Sequence, residues 1–158
     1  MEYVKESRER ESIATSFEDL SAIALVDLEK QGLSCFVCGP ITTGGRGSAD
    51  QNVRALNLAI EHLIRAGENV FTQLPYEPTL WTLKDQYEMV NGRKHYCMDM
   101  LVKFYLPLFQ SGLIIRAYFL PGWETSTGAK WEREQFERLG IHIVDLSEEL
   151  INELMEAA

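Results

Sequence analysis

Leu33-Ser34-Cys35-Phe36-Val37-Cys38-Gly39-Pro40-Ile41-Thr42-Thr43-Gly44-Gly45-Arg46-Gly47-Ser48 is the stretch on which the fold turns. Residues 33–38 are a short apolar run stopped by Gly39-Pro40, the pattern of a buried strand. A glycine-rich loop follows. Residues 50–66 then put Val53, Leu56, Ile60, Leu63 and Ile64 on one face, and Gly67 ends the pattern. That predicts an amphipathic helix. Strand, loop and helix in this order open a β-α-β unit.

Working outward, Ser16 is placed to cap a helix carrying Leu20, Ile23, Ala24 and Leu28, with Gly32 as its stop. Residues 1–15 are polar and predict a flexible N-terminal segment. Downstream, 69–74 reads as a second strand and 75–82 as a loop with Tyr76 and Trp81 exposed. Residues 83–110 are helical in pattern, broken near Asn91-Gly92 and kinked at Pro107. The most apolar run, 113–120, is the best central strand. A loop (121–127), a helix (128–139), a strand (141–144) and a last amphipathic helix (146–155) complete the chain. This alternation predicts a single flavodoxin-like or Rossmann-like three-layer α/β domain over 16–158. Its parallel sheet is expected to have four to five strands in the order 2-1-3-4. In such sheets ligands bind beyond the carboxyl ends of the strands, here where loops 39–48 and 121–127 emerge.

The chain has 158 residues, is 46% hydrophobic and 25% charged, and carries a formal net charge of -9. The length suits one core without a stabilising metal or disulfide. The acidic balance argues against a nucleic-acid polymer or an anionic membrane as partner, and leaves a small anionic ligand open. No apolar run has the length of a signal peptide or a membrane span. With three cysteines in such a chain, a cytoplasmic location is expected. Cys35 and Cys38 spell C-x-x-C, yet on a strand they point to opposite faces and read as small buried hydrophobes. His62, His95 and His142 show no metal-ligand spacing, so neither a metal nor a cofactor is expected.

The glycines of loop 39–48 let the backbone approach a ligand and turn its N–H groups inward. Arg46 adds a planar fork suited to phosphate. In the second loop, Ser126 or Thr127 can cap the coming helix, leaving N–H groups at its mouth. Glu132 lies about one turn in, and its side chain leans back toward the strand ends. The helix dipole favours its ionised form, which suits a nucleophile or a cation stabiliser; first-turn acids also serve purely structural ends.

The pair CGPITTGGR and PGWETSTGAKWE resembles the nucleoside 2-deoxyribosyltransferase-like superfamily, over about 35–145. Gly39-Pro40 matches its first strand end. Ser126-Thr127-Gly128-Ala129-Lys130-Trp131-Glu132 matches its Ser-x-Gly-x-x-x-Glu helix start. The Gly-Gly-Arg step resembles the branch that hydrolyses the N-glycosidic bond of nucleoside 5'-monophosphates. The resemblance implies that Glu132 attacks the anomeric carbon and that Asp99, in YCMDM, is a second catalytic acid. It also implies that Gly39, Pro40, Ile41, Gly44, Gly45, Arg46, Ser126 and Gly128 hold substrate and phosphate. The small-molecule substrate is then a nucleotide or nucleoside, and a homo-oligomer is expected. Base exchange between deoxyribonucleosides and a non-catalytic nucleotide-binding module are the alternatives. Tyr76, Trp81, Trp123 and Trp131 are candidates for stacking on a base.

Overall fold

The computed structural model describes residues 14–41, 44–93 and 96–158. The expectations placed on residues 1–13, on Thr42 and Thr43 and on His95 lie outside the described residues. The chain divides into two compact units. One is α/β, from Leu33–Thr72 and Ile114–Ala158. The other is helical, from Gln73–Leu113 and the chain as far as Gly32.

The helical unit begins with α1 (Phe17–Gln31). Ser16 caps it by accepting from Asp19 N at 3.1 Å, and Gly32 ends it at φ 84°. Leu20, Ala24 and Leu28 form its buried face. A single 3₁₀ turn at Leu74–Tyr76 leads into α2 (Glu77–Asn91). The helix therefore starts earlier than its sequence pattern suggests. Pro75 and Pro78 sit in first turns, where a missing N–H costs nothing. Tyr76 is buried rather than exposed, and its hydroxyl donates to Asp27 Oδ2 at 2.7 Å. The break at Asn91-Gly92 is present, with Gly92 at φ 82°.

Helix α3 (Met98–Met100) passes through a π-helical stretch, Leu101–Tyr105, into α4 (Leu106–Gln110). Leu106 N donates to Leu101 O, five residues back. Pro107 accounts for the widened turn: it has no N–H to donate and its ring crowds the carbonyl four residues earlier. Phe104, Tyr105 and Phe109 are buried here. With Tyr76, they pack within this unit.

The α/β unit has a parallel three-stranded sheet, with strands β1 (Ser34–Cys38), β2 (Ile114–Phe119) and β3 (His142–Asp145) side by side in that order. The most apolar run is the central strand, as its composition requires. Three strands replace the expected four to five. Residues 69–74 supply only a single parallel bridge, Val70 beside Cys35, with Cys35 N donating to Asn69 O and Phe71 N to Cys35 O, each at 2.9 Å. The 3₁₀ turn at Leu74–Tyr76, with a proline that cannot donate to a ladder, ends any extension.

Helix α5 (Ala49–Arg65) follows β1, α6 (Thr127–Leu139) follows β2, and α7 (Glu148–Ala157) follows β3. Each begins at a serine whose hydroxyl accepts a first-turn N–H: Ser48 from Gln51, Ser126 from Ala129 and Ser147 from Leu150. The core of this unit joins Phe36, Phe119 and Phe136. Phe136 lies 6.5 Å from Phe36 and 6.1 Å from Phe119 between ring centroids. Among the described residues, no helix is long and apolar enough to cross a membrane.

Candidate functional site

Both glycine-rich loops leave the same end of the sheet. Cys38 and Phe119 are register partners at the carboxyl ends of β1 and β2. Beyond them the loops pack against each other. Gly45 N donates to Thr125 Oγ1 at 2.7 Å, and Thr125 Oγ1 donates to Gly122 O at 2.6 Å. Gly44 and Gly45 adopt φ of 67° and 68°, in the left-handed region. A Cβ on Gly44 would run into Thr125 Oγ1, and one on Gly45 into Asn52 Oδ1. Gly44 therefore allows loop to touch loop, and Gly45 lets the first loop close on Asn52 and Pro40.

Asn52, on α5, organises the first loop. It is 3% exposed. Its Nδ2 donates to Ile41 O and Gly44 O at 3.1 and 3.0 Å, and its Oδ1 accepts from Arg46 N at 2.8 Å. Sequence reasoning passed over it, because an asparagine within a helix pattern carries no signal of its own. Asn52→Ala leaves three backbone groups without that partner, and is expected to cost about 1–3 kcal/mol in denaturant unfolding. A loss below the error of the measurement would show that the loop holds itself.

Arg46 reaches across to α7. Its Nη1 donates to Glu148 Oε1 at 3.2 Å and its Nη2 to Asn152 Oδ1 at 2.6 Å. The fork that the sequence suggested for phosphate is thus occupied by a carboxylate and an amide. Pro40, Gly45, Arg46, Asn52, Leu120 and Pro121 are among the residues lining a small pocket at this point. Gly39 sits close against Leu120, where a Cβ would lie 3.1 Å from Leu120 Cβ. Ser126 and Gly128 are buried at the start of α6, and the Ser126 hydroxyl is its cap.

Glu132 lies past the first turn of α6 and is half-buried. Its Oε2 accepts from Cys38 Sγ at 3.1 Å. Burial pushes its carboxyl from the ordinary 4.5 to about 7, and the thiol's hydrogen bond opposes this only weakly. The expectation of a carboxylate held ionised by the helix dipole is therefore corrected: the dipole acts within the first turn, and desolvation wins beyond it. Cys38 is 1% exposed, and its thiol is pushed well above the ordinary range, chiefly by burial and then by the Glu132 charge. The strand cysteine read as a small hydrophobe has a polar partner that strand periodicity alone could not reveal.

A raised carboxyl pKa in the folded state has a stability consequence. Its contribution is complete below pH 4.5, the ordinary value, and is lost as pH rises through about 7. Glu132→Gln removes that loss. The variant is expected to be more stable than wild type at pH 8, by of order 1–3 kcal/mol, and to converge on it near pH 4. Equal stability of the two at pH 8 would place the carboxyl in water.

Arg133, next in the helix, makes a two-bond pair with Asp145 at 2.6 and 3.1 Å. Its guanidinium lies 4.1 Å from the Trp123 ring centroid and 5.0 Å from that of Phe119. The cation covers one face of Trp123 and fixes the second loop against the sheet. Asp99 belongs to the helical unit, where its Oδ2 accepts from Lys103 Nζ at 3.0 Å. Tyr76 and Trp81 belong to that unit too. Among the described residues, no group of three His, Cys, Asp or Glu is placed to hold a metal ion. Compared with known proteins, the chain matches no family model, no curated protein and no solved structure.

Proposed function

We propose that the protein hydrolyses the N-glycosidic bond of nucleoside 5'-monophosphates. The observation that carries this reading is a desolvated carboxyl, Glu132, beside the paired carboxyl ends of β1 and β2, from which two interlocked glycine-rich loops emerge. Partly withdrawn from water, its ionised form is the stronger nucleophile. It attacks C1' from the face opposite the base. The C1'–N bond breaks, its electron pair leaves with the base, and the base takes a proton from solvent water. Positive charge builds on the sugar in between, and the carboxylate stabilises it. Water then cleaves the glycosyl ester, giving a sugar 5-phosphate and free base. The ionised form does the work, so kcat/KM is expected to rise through pH about 7.

Phosphate recognition falls to the Arg46 guanidinium, since the Gly45 and Arg46 N–H groups are held by Thr125 Oγ1 and Asn52 Oδ1. A phosphate dianion outcompetes Glu148 for the guanidinium, because it offers more acceptor oxygens and more charge. Arg46→Ala is expected to lower kcat/KM on the monophosphate at least about tenfold and leave slow cleavage of the nucleoside nearly unchanged. Measuring both substrates with both proteins tests this. Equal efficiency of the wild type on nucleoside and nucleotide would contradict it. One observation favours the alternative of base exchange on free nucleosides: Arg46 already has partners in Glu148 and Asn152. Glu148→Gln separates the two readings. It is expected to tighten monophosphate binding if Arg46 holds phosphate, and to change nothing if it does not.

A further inference from the structure

The thiol of Cys38 has no place in the reaction just described, yet it is the group that meets Glu132. Cys38 ends β1. Its backbone is fixed there by register with Phe119 and by Leu120 N donating to Cys38 O at 2.9 Å. The side chain is 1% exposed, and Sγ stands 3.1 Å from Glu132 Oε2. Burial and the Cys38 hydrogen bond are what act on the Glu132 carboxyl, and Arg133, next in the helix, pairs with Asp145. Glu124, on the second loop, acts on Arg133. The carboxyl therefore has a neutral partner.

We propose that Cys38 is a positioning residue for Glu132: its S–H holds Oε2 and sets the plane of the carboxylate, so that Oε1 is presented to substrate, without adding a positive charge. This rests on Glu132 being the reacting group. The choice of donor has chemical consequences. An arginine or lysine at this place would hold the carboxylate more firmly, but would lower its basicity and blunt it as a nucleophile. A thiol is a weak donor. Its proton stays in place at neutral pH, because burial and the neighbouring carboxylate disfavour the thiolate. Cys38 is thus a fixed donor, and neither a nucleophile nor a redox group.

The test needs no substrate. Glu132 is titrated in the free protein through the ¹³C shift of its side-chain carboxyl, in wild type, Cys38→Val and Cys38→Ser. Valine, slightly larger, stays apolar and suits a strand but removes the donor. The Glu132 titration is expected to move up by roughly half a pH unit in Cys38→Val and to stay at or below the wild-type value in Cys38→Ser. In turnover, Cys38→Val is expected to lower kcat with KM held, and Cys38→Ser to restore it. An unmoved titration in both variants would overturn the proposal, and so would the same rise in both, which would assign the effect to packing. Should Cys38→Val fail to fold, Cys38→Ser still decides: a rise in its titration contradicts a donor role. The expected titration shifts without any base release would instead remove the hydrolase reading and keep Cys38 as Glu132's partner.

Discussion

Glu132→Gln is expected to lower kcat for base release at least about 100-fold while substrate still binds, because the amide keeps the size of the carboxylate and loses its charge. Steady-state kinetics at pH 8, where the wild-type carboxyl is ionised, gives the cleanest comparison. The same substitution is expected to stabilise the fold at that pH. A group that costs stability and carries activity is the signature of a functional site. A variant with near-normal turnover and unchanged stability would make Glu132 an ordinary helix acid.

The second large effect falls on the scaffold. Phe119 is fully buried in the central strand, packs edge-on against Phe136 and Trp123, and carries the Arg133 guanidinium over its ring. Phe119→Ala is expected to cost about 3–5 kcal/mol in chemical denaturation. Because the ring also supports Trp123 and Arg133, loop 121–125 loosens with it, and turnover should fall in the fraction that remains folded. A cost below about 1 kcal/mol would mean that the surrounding rings collapse into the space.

Much of the α/β unit was legible from local pattern. β1, β2, β3 and their helices are apolar runs and 3.6-residue stripes, signals that need no distant partner, and Ser126 is a cap legible in the sequence, whereas the Ser48 and Ser147 caps emerge only in the structure. The meeting of loops 39–48 and 121–127 followed from parallel strands. What misled was of two kinds. Residues 69–74 have strand composition but are followed at once by Pro75, and whether such a run pairs depends on neighbours that the sequence does not display. Residues 75–82 have loop composition, although two of their prolines fit helix first turns. The spacing from Ser126 singles out Glu132 as a candidate, but its protonation follows from burial, which is a property of packing and not of position along a helix. The burial of Cys38 was legible but its polar contact was not, and nothing pointed to Asn52. Their partners, Glu132 and the backbone of Ile41, Gly44 and Arg46, are set by the tertiary fold.

The most direct measurement is base release. Wild type and Glu132→Gln are each incubated with a panel of ribo- and deoxyribonucleoside 5'-monophosphates and the matching nucleosides, and free base is quantified by chromatography. Free base is expected from at least one monophosphate, more slowly from its nucleoside, and at background level with Glu132→Gln. Folded wild-type protein that releases no base from any member of the panel would contradict the account.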